Sequence, residues 1–252
     1  MRKAINSISL IMAAVALLML SVPVQASQMD DRIESTARNS YVFKTFLQAD
    51  DIKIESRDGN VTLTGIVADN FNKSLAQETL SGIPGVNSVD NKLEVKGGYP
   101  TANSDAWLRD KVKATLLFHR SVSGLKTEVN VKDGIVTLQG EATSGAQKDL
   151  STEYAKDVEG VKGVNNEMTV SKTAKKTQTV GQKIDDASIT AQVKLSLLYH
   201  RSTSAINTKV ETNNGDVALY GKAGTAAEKN LATKFANDVN GVKSVKNLMT
   251  IE

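Results

Sequence analysis

A turn-and-strand phrase written three times constrains this chain more than any other feature. It reads Asp58-Gly59-Asn60-Val61-Thr62-Leu63-Thr64-Gly65, then Asp133-Gly134-Ile135-Val136-Thr137-Leu138-Gln139-Gly140, then Asn214-Gly215-Asp216-Val217-Ala218-Leu219-Tyr220-Gly221. An Asp-Gly or Asn-Gly pair between β-forming residues asks for a two-residue hairpin turn, because both central residues must take positive φ. Each phrase therefore predicts a turn followed by a strand. The closing glycines Gly65, Gly140 and Gly221 mark a strand end or a close backbone approach, and each is followed twenty residues on by a Gly-Val pair: Gly85-Val86, Gly160-Val161 and Gly241-Val242. Repetition in one register predicts three like domains.

The residues around the phrase extend the unit. Before it, Ile33, Ala37, Tyr41 and Val42 recur at helical spacing, as do Leu108, Val112, Leu116 and Leu117, and Ile189, Val193, Leu197 and Leu198. In the first repeat this predicts one helix from Asp30 to Phe46. Asp30, Asp105 and Asp186 stand three residues before each apolar stripe, where a carboxylate caps free amides and opposes the helix dipole. First strands follow around 51–57, 126–132 and 207–212, with Ile54, Val129 and Val210 sharing a face with the phrase's apolar positions. A second helix carries Phe71, Leu75 and Leu80, then Ala146, Leu150 and Ala155, then Ala227, Leu231 and Ala236, and stops near Ile83, Val158 and Val239. A last strand passes through Leu93/Val95, Met168/Val170 and Met249/Ile251. The expected fold class is α+β, with tandem αββαβ units at 30–97, 105–172 and 184–252. Each is a small three-stranded mixed sheet with two helices on one face. The joins are 98–104 and a polar stretch at 173–183; the first two repeats are expected to pack together and the third to hang more freely.

Residues 1–26 have the plan of an export signal: Arg2 and Lys3, an apolar run from Ile8 to Val22, and Val24-Gln25-Ala26 at the end, which predicts an exported chain cleaved after Ala26. Removing it leaves 29 basic and 28 acidic residues. By repeat the balance is 8 to 11, 10 to 10 and 8 to 7, so no repeat carries the single-sign field that a nucleic-acid backbone requires. The chain has no cysteine, which excludes disulfides and thiol chemistry.

The helix-strand-strand-helix-strand order, the Gly-x-Val-Thr-Leu-x-Gly strand at 59–65 and 134–140 and the Gly-Val-x-x-Val-x-Asn segment at 85–91, 160–166 and 241–247 resemble the BON domain. With an export signal and tandem copies, the chain is similar to the osmotically inducible periplasmic (OsmY-type) proteins. Two domains are familiar there, against three here. The resemblance implies a non-catalytic role: attachment to phospholipid or membrane surfaces, envelope integrity under osmotic stress and, in some members, help to exported proteins. It carries no catalytic motif and implies no cofactor.

The two histidines share one phrase, Leu116-Leu117-Phe118-His119-Arg120-Ser121 and Leu197-Leu198-Tyr199-His200-Arg201-Ser202; the first repeat has Lys44-Thr45 in those columns. Two readings stand side by side. His119-Arg120 and His200-Arg201 either bind an anionic head group or complement the helix C-terminus. Trp107, the only tryptophan, continues with Lys111, Ala114 and Phe118 as a stripe suited to a membrane interface, or else packs on the first repeat or the 97–104 join. The candidate lipid-binding set is therefore Trp107, Lys111, Phe118, His119, Arg120, His200 and Arg201. A closed metal site lacks ligands within any one repeat, and neither Ser121 nor Ser202 beside a histidine makes a positioned dyad. The expected partner is an anionic phospholipid or membrane surface, with unfolded exported chains, held by the stripes between repeats, as the alternative; wall polysaccharide would call for more exposed aromatics than 4% provides.

Overall fold

The structure, a computed structural model, describes residues 22–98, 100–101, 104–122, 124, 127–171, 183–203 and 208–252. Residues 1–21 of the expected leader and nearly all of the 173–183 join lie outside them. The first repeat comprises α1 (Val22–Asn39), α2 (Tyr41–Thr45), β1 (Asp51–Arg57), β2 (Asn60–Val67), α3 (Asn70–Ser81) and β3 (Ser88–Val95). The second has α4 (Asp105–Phe118), β4 (Thr127–Lys132), β5 (Ile135–Ala142), α5 (Gly145–Lys156), β6 (Gly163–Asn166) and β7 (Thr169–Val170). The third has α6 (Asp186–Tyr199), β8 (Lys209–Asn213), β9 (Asp216–Tyr220), β10 (Lys222–Ala223), α7 (Ala226–Asp238), β11 (Ser244–Asn247) and β12 (Thr250–Ile251). These are repeated αββαβ-like units with mixed sheets. In each, the strand after the turn is central, antiparallel to the one before it and parallel to the one after the second helix.

The turns take the conformation their sequence demands. Asp58, Asp133 and Asn214 have φ of 52°, 53° and 51°, and the glycines after them 75°, 82° and 86°, as in a type I′ turn. Gly65 has φ of 121°, and a Cβ there would stand 1.9 Å from the Asp51 carbonyl oxygen. Since β2 runs on to Val67, this glycine marks a close backbone approach and not a strand end.

The three aspartates do something other than cap. Ser104 and Asp185 are the caps of α4 and α6, accepting from the amides of Trp107 and Ser188. Asp105 and Asp186, one residue further in, reach across to the hairpin: Asp105 accepts from the Asp133 and Gly134 amides at 2.8 and 2.9 Å, and Asp186 from those of Asn214 and Gly215 at 2.7 and 2.9 Å. Asp30, inside α1, accepts from the amides of Asp58 and Gly59 and from the Ser56 hydroxyl; the Ser56 bond, with the Gly59 amide, holds its carboxyl below the usual range. The tight turn leaves two amides pointing at the first helix, and a carboxylate there satisfies both. A second repeated device involves Asn91, Asn166 and Asn247. Their side-chain amides donate to the Lys73, Lys148 and Lys229 carbonyls of the second helices, and their oxygens accept from the amide two residues on.

The expected single helix over Asp30 to Phe46 is broken at Ser40, whose hydroxyl accepts from Phe43. The break frees the amides of Tyr41 and Val42, and the third repeat takes them up: Tyr41 donates to Asp185 at 2.7 Å and Val42 to Ser188 Oγ at 3.1 Å. The third repeat is thus not free-hanging. Its helix α6 buries Ala187, Ile189, Ala191, Val193, Leu195, Leu197 and Tyr199, together with Ser188, Gln192 and Ser196. One side joins Ile189, Val193 and Leu197 to a core shared with the second repeat. The other joins Ala187, Ala191, Leu195 and Tyr199 to the first repeat's core, along with Ala114 and Phe118 from α4. Lys194, the one charge in α6 after Asp186, meets Glu78 of α3 at 3.0 Å.

Replacing Gly65 with alanine is expected to cost about 3 kcal/mol, since the new methyl group has no room and the backbone is already strained for an L residue. Asp186→Ala is expected to cost about 2 kcal/mol through two lost charge-assisted bonds. Urea unfolding midpoints check both.

Candidate functional site

The two histidine phrases meet. His119 and His200 are the C-caps of α4 and α6, both in extended conformation, and each lies against the end of the second helix of the other repeat. Bridges join His119 to Val239 and Val158 to His200; the Arg120 amide donates to the Asp238 carbonyl at 2.8 Å and the Arg201 amide to the Asp157 carbonyl at 2.9 Å. The second and third repeats are therefore clasped reciprocally, as in an isologous two-fold interface.

Four titratable side chains lie at the centre of the clasp. The Nε2 atoms of His119 and His200 are 3.1 Å apart. His200 Nδ1 is 2.8 Å from Asp157 Oδ2, and His119 Nδ1 is 3.2 Å from Asp238 Oδ2 but out of line for a good hydrogen bond. His119 stacks on Tyr154 at 4.2 Å and His200 on Phe235 at 3.8 Å. Tyr154 donates to Asp238 at 2.8 Å, and the hydroxyls of Ser121 and Ser202 donate to Asp238 and Asp157. Arg120 and Arg201 approach the same carboxylates from the solvent side at 3.9 and 3.6 Å. Both imidazoles are 1% exposed.

Burial pushes the His119 pKa down, with Asp238 opposing and His200 adding to the fall. Burial works to raise Asp238 and Asp157, but the histidines facing them and the serine hydroxyls outweigh it and hold both below the usual carboxylate range. Burial raises the Tyr154 phenol, and its bonded carboxylate adds to that.

Ser196 Oγ lies 3.2 Å from His119 Nε2, so a serine–histidine–aspartate order exists on paper. Ser196 is fully buried in the middle of α6, and no substrate reaches it. Among the described residues no group of three or more histidine, aspartate or glutamate side chains is placed to hold a metal ion.

The candidate lipid-binding residues are divided by this packing. Phe118, His119 and His200 are buried; Phe118 packs against Phe71 and Phe46 of the first repeat with ring centroids 5.4 and 6.0 Å away. Ala114 is buried as well, so the stripe that starts at Trp107 turns inward after Lys111. Trp107 lines a cavity of about 40 Å³ with Phe71, Pro100 and Tyr199, which is the packing alternative for this side chain. Lys111 Nζ sits 3.7 Å over the Trp107 ring, and burial lowers its pKa against the pull of Glu159. Lys111 and Arg201 are brought together in one open groove of about 650 Å³, with Leu198 (47% exposed), Leu231, Glu159 and Glu228. Arg120 stays half exposed on the other arm of the clasp.

Sequence reasoning missed Asp157, Asp238 and Tyr154. A signal was there: Tyr154-Ala155-Lys156-Asp157-Val158 and Phe235-Ala236-Asn237-Asp238-Val239 share columns that the first repeat fills with Thr79-Leu80-Ser81-Gly82-Ile83. The aspartate and the histidine occur together in the second and third repeats, and both are missing from the first.

Asp238→Ala is expected to cost about 2–3 kcal/mol, because it leaves the Tyr154 and Ser121 hydroxyls without their acceptor. Tyr154→Phe is expected to cost about 1 kcal/mol. Asp90→Ala, which removes only an exposed pair with Lys92, is expected to change stability by less than about 0.5 kcal/mol in the same denaturant titrations.

Comparison with known proteins places these observations. The BON domain model matches residues 29–97, 104–172 and 185–252. Osmotically-inducible protein Y of Escherichia coli is 34% identical over 159 residues, covering 63% of this chain and 77% of that protein. Outer membrane lipoprotein DolP of Haemophilus influenzae is 36% identical over 113 residues, 45% of this chain and 56% of that one. Among solved structures, CdsD, a structural protein of the Type III secretion system of Chlamydia trachomatis, aligns over 84% of this chain and 90% of its own at 16% identity, with a poor overall superposition (TM-score 0.25). The chain belongs to the BON domain family, as a non-catalytic protein with tandem copies of the domain like osmotically-inducible protein Y.

Proposed function

We propose that this protein is a periplasmic envelope-stress protein that rests on anionic phospholipid surfaces through the groove at Lys111 and Arg201. The observation that carries the reading is the convergence, in that groove, of two cations from different repeats with the exposed Leu198. A lipid surface offers phosphate for the cations and an apolar boundary for the leucine, and each lysine or arginine near an anionic membrane contributes about 1 kcal/mol. Trp107, beneath Lys111, holds the ammonium in place. No helix among the described residues is long and apolar enough to cross a membrane; the contact proposed is a peripheral one.

The alternative, a holder of unfolded exported chains, relied on stripes between repeats. Those stripes are already filled by α4 and α6, and no observation favours that reading. The outer membrane in the name of one relative, lipoprotein DolP, supports the lipid reading by analogy.

Flotation with vesicles of phosphatidylglycerol and phosphatidylethanolamine is the test. The mature chain is expected to float with these and not with phosphatidylcholine alone, and Lys111→Ala with Arg201→Ala is expected to weaken binding about 25-fold, or about fivefold for each cation. Equal flotation of the double variant and the parent removes this groove as the contact.

A further inference from the structure

The third repeat holds two Asn-Gly steps, Asn214-Gly215 in its hairpin and Asn240-Gly241 just after α7, and the chain has no others. In the same columns the first repeat has Asp58-Gly59 and Pro84-Gly85, and the second has Asp133-Gly134 and Glu159-Gly160. An Asn-Gly step is chemically labile because no side chain hinders the glycine nitrogen. That nitrogen attacks the asparagine Cγ, the Cγ–Nδ2 bond breaks, and the amide proton, relayed through water, leaves with the departing NH2 as ammonia. A five-membered succinimide is left. Water then opens the ring at one carbonyl to give aspartate, or at the other to give isoaspartate, whose main chain runs through Cγ.

The ring closes only when the glycine nitrogen eclipses Cβ about the Cα–C bond, and both turns hold it far from there. Asn214 and Gly215, with φ of 51° and 86°, make a type I′ turn. Its first central ψ of about +30° puts the nitrogen about 150° from Cβ. The turn from Val239 to Val242 is closed by the Val242 amide on the Val239 carbonyl at 3.2 Å, with Gly241 at φ of 88°, as in type II. There the first central ψ of about +120° leaves the nitrogen about 120° away.

Different contacts guard the two turns. Asp186 accepts from the Asn214 and Gly215 amides, while Lys243 donates its ammonium to the Asn214 carbonyl at 2.6 Å and its own amide to the Gly215 carbonyl at 2.8 Å. The bond between helix and hairpin within the third repeat thus keeps the first site shut. Asn240 gives both its main-chain and its side-chain N–H to the Phe118 carbonyl, each at 3.1 Å. The clasp with the second repeat keeps the second site shut. Water is at hand for the hairpin, since Asn214 and Gly215 line an open cavity of about 530 Å³ with Lys183, Ile184 and Lys243.

We propose that Asn214 and Asn240 are sites of spontaneous deamidation that the fold keeps closed, so that each converts only while its own turn is open and the third repeat keeps a covalent record of its openings. The products differ in consequence. Aspartate at 214 gives the turn that Asp58 and Asp133 already form, and the side-chain amide lost there bonds only as far as its exposed neighbour Asn213. Aspartate at 240 replaces a donor to the Phe118 carbonyl with a carboxylate oxygen that repels it, which weakens the clasp. Isoaspartate at either position lengthens the main chain inside a tight turn, which then cannot close.

The test incubates the full mature chain in mildly alkaline buffer, folded and in urea, and reads conversion at each site by peptide mass spectrometry with isoaspartate resolved from aspartate. Both sites are expected to convert in urea, and to convert at least about tenfold more slowly in the folded chain, where the rate is scaled by the open fraction. Asp186→Ala removes the hairpin's guard and is expected to speed conversion at Asn214 about 30-fold. Tyr154→Phe removes a bond to Asp238, beside Val239, and is expected to speed conversion at Asn240 about fivefold. Each variant leaves the other site near the parent's rate. Equal rates in the folded chain and in urea, no conversion in urea, or equal acceleration of both sites by either variant would each overturn the proposal. If Asp186→Ala does not fold, the parent and Tyr154→Phe decide by the same criteria.

Discussion

A helix buried on nearly every side needs neighbours all round, and α6, in which Leu198 alone is well exposed, is such a helix. Between Ala187 and Tyr199 it has a single charge, Lys194, and that charge is itself engaged by Glu78. An isolated αββαβ unit covers only the one face of its first helix that meets its own sheet. For α6 the remaining faces are covered by α4 and the second repeat's core on one flank and by α3 and the start of α2 on the other. The rest of the architecture follows from satisfying this helix. Small residues such as Ala187 and Ala191 permit the close approach, and Gly82 sits where a Cβ would stand 3.2 Å from the Ala187 Cα.

The repeats solve the same packing problem with different chemistry. The second and third use a polar clasp in which an imidazole from one meets a carboxylate from the other. The first lacks both partners, with Lys44 in the histidine column and Gly82 in the aspartate column. It instead breaks its own helix at Ser40 and offers the freed amides to Asp185 and Ser188. Asp185 thus caps two helices at once, its own and that of the first repeat. Buried polar groups of this kind add modest net stability but penalise wrong pairings severely, which suits a chain whose repeats could otherwise pack in several ways.

The packing also divides the work of the side chains. Phe118, His119 and His200 lie buried in the seams between repeats. What remains outside is a thinner set: Lys111 over Trp107, Arg201 with Leu198, and Arg120 at the opposite arm. The open faces of the sheets carry polar and charged residues, as in the first repeat's Lys53, Glu55, Thr62, Thr64, Asp90 and Lys92, with Ile66 and Ile135 exposed among them.

The sequence by itself determined everything that is local. The positive φ at Asp58, Asp133 and Asn214, the alternation of Val61 and Leu63 with Thr62 and Thr64, and the four-residue spacing of Ile33 and Ala37 are each set by a residue's own backbone or by its near neighbours, and repetition made them legible three times over. Only the tertiary structure decided that Asp105 reaches a turn 28 residues away instead of capping its own helix, that His119 finds Asp238, and that α6 sits in the middle. Those outcomes depend on which repeat stands beside which, a choice made by whole buried faces competing to leave water. No short stretch of residues carries that information, because periodicity tells which face is apolar and is silent on what will cover it.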